Sequence, residues 1–130
     1  MKPILALLCA LAAAPLHAET PLDAESFEAL VEGRTLTFEI AGEPYGIERY
    51  MEGRRVIWSF LDGQCTQGEW YQQGEAICFV YDRAPDDPQC WEIYDEGERL
   101  RTVFLSGEQR STLYEARPGD EELVCNNFGF

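Results

Sequence analysis

Apolar and polar positions alternate with a period of two over several short stretches of this chain. Leu36, Phe38 and Ile40 alternate with Thr37, Glu39 and Ala41. Ile77, Phe79 and Tyr81 share one side of a second stretch, with Cys78 and Val80 on the other. Val56, Trp58 and Phe60 alternate with Ile57, Ser59 and Leu61, a stretch apolar on both sides. Successive strand side chains point to opposite faces, so each stretch reads as a strand with at least one face on a core. Leu100 to Leu105 and Thr112 to Ala116 are weaker versions of the pattern.

Turn residues separate these stretches at a near-constant step. They are Gly33, Gly42, Gly53, Gly63, Gly74, Ala84-Pro85-Asp86-Asp87, Gly97, Gly107 and Pro118-Gly119. Steps of about 9 to 12 residues between short strands predict an all-β sandwich or barrel. Short links favour antiparallel neighbours, so the predicted topology is an up-and-down meander of eight or nine strands. Closing the sheet hides its edges, which makes a barrel the first expectation and a sandwich the second.

One short N-terminal helix is predicted before the strands. Thr20 suits the N-cap, Pro21 the first helical position, and Asp23 and Glu25 the positive helix end. Phe27, Leu30 and Val31 share a face, and Gly33 stops the helix. That face is expected to cover one end of the sheet.

The first 18 residues have a different character. Lys2 gives a short positive start, Ile4 to Ala14 is apolar, and Pro15-Leu16-His17-Ala18 offers a cleavage site. This order matches a secretory signal peptide. The apolar run is about half the roughly 20 residues that a membrane span needs. Cys9 follows the bulky Leu8, which argues against lipid attachment there. The expectation is a periplasmic or secreted protein: residues 1–18 as leader, 19–130 as one domain, and no transmembrane segment once the leader is removed.

Cleavage after Ala18 would remove the only Lys and the only His. Nine Arg then face 24 acids, a formal charge of −15. Such a field repels nucleic acid and anionic membranes and favours a basic partner or cations. The plainer reading is that the acidity keeps an exported protein in solution.

Four cysteines remain: Cys65, Cys78, Cys90 and Cys125. Four in a short exported chain read as two disulfides. Cys78 and Cys90 flank the Ala84–Asp87 turn almost symmetrically, which sets them opposite each other on neighbouring strands. Cys65 then pairs with Cys125. No C-x-x-C pair and no His supports redox or metal chemistry instead.

Losing His and Lys removes Ser-His-Asp and Cys-His catalysis, His metal sites and Schiff-base lysines. Carboxylates alone would have to carry any acid–base chemistry. No cofactor is expected. Asp82, Asp86 and Asp87 would suit a cation only with a calcium-loop spacing they lack, so they read as a solvated turn. Glu48, between Tyr45 and Tyr50 and near Arg54 and Arg55, is a candidate polar site inside a barrel. Cross-strand charge pairing on the sheet surface is the stronger reading of that stretch. Trp58, Trp70 and Trp91 are candidates to line a ligand pocket, against the commoner role of plain core.

Several stretches also carry a resemblance. They are Gly33-Arg34-Thr35-Leu36-Thr37-Phe38 after Phe27, Tyr45-Gly46-Ile47-Glu48-Arg49-Tyr50, and Arg55-Val56-Ile57-Trp58. Cys65 through Gly68-Glu69-Trp70-Tyr71 to Ile77-Cys78-Phe79-Val80-Tyr81 follows, with Cys90-Trp91 and Cys125 completing the set. Together these resemble a family of small exported bacterial proteins of unknown function. The resemblance implies export and one compact domain, and carries no catalytic residue.

The leading functional expectation is a non-enzymatic protein whose lipocalin-like barrel holds a small apolar ligand. Trp58, Trp70, Tyr45, Glu48 and Tyr50 are its candidate binding residues. The alternatives are an acidic binder or inhibitor of a basic exported protein, and a structural component of an envelope assembly. A carboxylate enzyme ranks below these. Oligomeric state is left open.

Overall fold

A computed structural model describes Met1 and residues 19–105, 110–116 and 122–128. The leader and the turns at Gly107 and Pro118-Gly119 lie outside the described residues. Helix α1 (Ala24–Val31) comes first. The strands are β1 (Thr35–Ile40), β2 (Glu43–Met51), β3 (Arg55–Ser59), β4 (Cys65–Gln73), β5 (Ala76–Tyr81), β6 (Gln89–Asp95), β7 (Leu100–Phe104) and β8 (Thr112–Glu115). Each strand pairs antiparallel with the next, and β8 returns to β1, so the meander closes into an eight-stranded barrel.

The alternation sorts side chains cleanly. Leu36, Phe38, Tyr50, Val56, Trp70, Ile77, Phe79, Ile93, Leu100 and Leu113 are buried together in one core. Intervening positions such as Arg49, Arg55, Gln67 and Glu69 are exposed. A charged exterior around an apolar interior is the inverse of what a lipid-embedded barrel needs. No helix among the described residues is long and apolar enough to cross a membrane.

Two sequence-based expectations shift by a few residues. The N-cap is Asp23, not Thr20: its carboxylate accepts from the Ser26 N–H at 2.8 Å, which lowers its pKa. The Leu22 N–H is engaged with the Ile93 carbonyl at 2.6 Å, so the chain docks on β6 before it can coil. Ile40 leaves the pattern of Leu36 and Phe38 and is exposed. It is the last residue of β1; the register on β2 shifts after Phe38 because β2 carries an extra residue there, Tyr45, as in a β-bulge.

Helix α1 plugs one end of the barrel. Phe27 meets Tyr50, Trp70 and Phe79 edge-on, with ring centroids 5.6, 5.1 and 6.4 Å away. Val31 is buried beside it, and Gly33, at φ +81°, ends the helix and donates its N–H to the Tyr50 carbonyl. Gln72 at the end of β4 accepts from the Ala24 N–H at 2.7 Å.

Both disulfides fall where the spacing put them. Cys78 and Cys90 are direct cross-strand partners on β5 and β6. Cys65 joins Cys125 and so ties the C-terminal segment to the start of β4. Asn127 seals that junction: its Oδ1 accepts from the Cys65 N–H at 2.8 Å and its Nδ2 donates to the Cys65 carbonyl at 2.9 Å. Two disulfides fit a chain that folds in an oxidising compartment. Replacing Cys78 and Cys90 together with Ser is expected to lower the unfolding free energy by about 3 kcal/mol, on loop length. Urea unfolding at matched pH checks it, and an unchanged midpoint would show the barrel registers β5 against β6 without the staple.

Candidate functional site

A cavity of about 200 Å³ occupies the barrel interior away from the helix. Its lining comes from the start of β2, the end of β3, the start of β4, the end of β5 and the start of β6. In an antiparallel meander those strand ends all lie at the same end of the barrel. Helix α1 seals the other, so the cavity has one mouth.

The walls are aromatic. Phe38, Tyr50, Trp58, Phe79, Tyr81 and Trp91 line it, with Thr102 and Leu113 from the later strands. At the rim Tyr45, Trp58 and Phe60 pack against one another, with centroid separations of 5.3 to 6.1 Å. Phe60 is 58% exposed, a large apolar ring left in water at the entrance. The next residue, Leu61, sits at φ 64°, a conformation bulky residues rarely adopt. Its N–H donates to the Ser59 hydroxyl at 3.2 Å, and the bend leaves both Phe60 and Asp62 on the mouth.

Two glycines inside strands explain how large rings fit so closely. A Cβ on Gly46 would overlap the Trp58 indole. A Cβ on Gly68 would come within 2.6 Å of the Val80 carbonyl and 2.8 Å of the Tyr81 ring. Strand glycines often mark such close approaches. Here they seat the two rings that flank Glu48: Trp58 is its direct cross-strand partner, and Tyr81 holds its carboxyl.

Glu48 is the polar centre of the site. It is 2% exposed, and the Tyr81 hydroxyl lies 3.0 and 3.1 Å from its two oxygens. Burial holds its carboxyl well above the usual carboxylate range, and the Tyr81 hydrogen bond opposes that only in part. Burial and the nearby Glu48 push the Tyr81 phenol up as well. Tyr50 rises for the same reasons, with Glu115 adding to the effect and Arg34 opposing it. The other carboxylate lining the cavity is Asp62, exposed at the rim. Among the described residues the one basic lining residue is Arg83, also exposed, which donates to the Cys65 carbonyl at 3.3 Å.

The structure therefore brings Tyr45, Glu48, Tyr50 and Trp58 to one cavity. Trp70 is not among its lining residues. It lies in the floor against Phe27, with the Arg54 guanidinium 4.8 Å from its ring. Surface charge pairing, the stronger expectation for Glu48, is overturned. Arg54 pairs instead with Glu28 at 3.3 Å, Arg55 is exposed, and Glu48 points inward. Trp91, also a candidate to line a pocket, borders the cavity; Phe38, Phe79 and Tyr81 complete the wall, their alternation having marked them as inward but not as bordering a space. Asp82, Asp86 and Asp87 are exposed.

Comparison with protein families, curated proteins and solved structures finds no significant match to this chain. None of these comparisons supports the likeness to a family of small exported bacterial proteins. A closed barrel of this kind is compatible with a binding protein.

Proposed function

We propose that this protein is a non-enzymatic binder of the periplasm or extracellular space that holds a small, mainly apolar ligand in its barrel. The cavity carries the reading: it is enclosed by rings, sealed at one end and open at the other. Ligand sites are typically concave and apolar, with a few placed polar groups. Here those groups are Glu48 and Tyr81. An apolar cavity of about 150 Å³ is enough to take up benzene. At about 200 Å³ this one suits a single ring with a short substituent.

Toluene titrated into the indole-labelled protein tests it by NMR. Trp58 and Trp91 line the cavity and Trp70 does not, so the expected result is saturable shifts of the first two indole signals while the third stays fixed. No saturable shift, or equal shifts in all three, would overturn the reading. A second reading rests on the rim. Phe60 and Tyr45 stand exposed beside Asp62 on a strongly acidic chain, as a contact for a basic protein would. That reading gains if toluene leaves all three signals unmoved.

A further inference from the structure

We infer that the barrel ligand carries an amine, and that its ammonium group pairs with Glu48 while its apolar part fills the ring-lined space. This rests on the proposed binding function and names the ligand class for the same cavity.

Glu48 is a buried acid with unused capacity. An ionised carboxylate offers about four acceptor positions, and the Tyr81 hydroxyl supplies a single proton. None of the ion pairs among the described residues includes Glu48. Among the described residues the one basic residue on the cavity wall, Arg83, is exposed and donates to the Cys65 carbonyl, and it forms no ion pair with Glu48. A cation in the cavity would meet a carboxylate with no competing partner.

The walls suit a cation as well. The faces of Trp, Tyr and Phe rings attract ammonium groups, most strongly where water is excluded. Phe38, Tyr50, Trp58, Phe79 and Tyr81 all border the space that Glu48 borders. A carboxylate or phosphate ligand gains no such pair: Glu48 would have to stay protonated beside it, and among the described residues no buried cation lines the cavity to offset its charge. The acidity of the chain after residue 18 acts in the same direction at longer range, drawing cations toward the protein.

Proton accounting distinguishes an amine from a neutral ligand. Burial favours the protonated acid in the empty cavity. The groups around it are Tyr81 on β5 and Tyr50 on its own strand, with Glu115 of β8 and Arg34 acting on Tyr50. An ammonium ion entering the cavity stabilises the ionised form. Glu48 then loses its proton to solvent, the ammonium keeps its own, and the Tyr81 hydrogen bond becomes charge-assisted. Amine binding is therefore coupled to proton release wherever Glu48 is protonated in the empty cavity.

Calorimetry with benzylamine, benzyl alcohol and benzoate at pH 7 tests this on the full mature chain. Expected are benzylamine binding roughly tenfold or more tighter than benzyl alcohol, as a charge-assisted contact allows, and no benzoate binding. Repeating the benzylamine titration in buffers of different ionisation enthalpy should show net proton release. Glu48→Gln should abolish both the preference for the amine and the proton release. Benzyl alcohol binding as tightly as benzylamine, with toluene still shifting Trp58 and Trp91, would overturn the amine assignment and leave the cavity reading standing. Binding of none of the three, together with no toluene response, would overturn both. The three-ligand comparison is made on the unaltered protein, so it decides the matter even if the variant folds poorly.

Discussion

Phe27→Ala should lower the unfolding free energy by about 3 to 5 kcal/mol, among the larger effects a single core truncation produces. Phe27 is 1% exposed and meets three barrel rings edge-on. Truncating it deletes the contacts that hold α1 in place. An eight-residue helix has little stability of its own in water, so it stays folded because it is docked. Tyr50 and Phe79 face both Phe27 and the cavity, so the variant should also loosen the cavity floor. Urea unfolding measures the loss, with Leu30→Ala as comparison, since Leu30 is only partly buried at the edge of the same cluster. A shift for Phe27→Ala no larger than that for Leu30→Ala would mean the helix is not the plug described above.

The second large effect is a dependence of stability on pH. Glu48 has its pKa raised in the folded state by burial. In the unfolded chain it returns to the ordinary range, about 4.3. Between those two values the folded state binds more protons than the unfolded state, so stability falls as pH rises. The Glu48 contribution is fully present below about pH 4.3 and is lost as pH climbs through the folded value. Its slope is bounded by one proton, about 1.4 kcal/mol per pH unit. Asp23, its pKa lowered by the Ser26 N–H, carries the opposite slope at lower pH. The informative quantity is the difference between the native chain and Glu48→Gln, which cannot ionise. Above about pH 4.3 the native chain should lose stability relative to the variant, until the raised folded value is passed. Parallel curves would show that Glu48 reaches water in the folded protein.

Much of the barrel was legible because its signals are local. The turn glycines, the alternation and the symmetric flanking of one turn by Cys78 and Cys90 each depend on residues near in sequence. The errors come from tertiary competition. Thr20 and Pro21 look like a helix start, but the Leu22 N–H is taken by β6 and coiling waits until Asp23. Ile40 keeps the alternation on paper, but it stands at the very end of β1 and is exposed. At the site, Tyr45, Glu48 and Tyr50 could be grouped because they share a strand. Trp70 could not be separated from Trp58, because both sit at inward positions. Only depth along the barrel axis sends one to the floor and the other to the mouth. Gly46 and Gly68 were the unused clue, two strand positions that only a close-packed neighbour explains.

The β1–β8 seam has a consequence for the order of assembly. Every other strand pair joins consecutive segments, but this one joins Phe38 and Glu39 to Tyr114 and Glu115, close to opposite ends of the domain. Among the described residues two register pairs form it, extended by the Ala116 N–H donating to the Thr37 carbonyl at 2.8 Å. Closing so long a loop carries an entropic penalty that hairpins do not meet, so the hairpins should form first and the seam last. A chain emerging from its N-terminus cannot complete the ring until β8 has followed. Until then β1 waits with one bare edge, which makes the interval before closure the stage most exposed to pairing with a second chain.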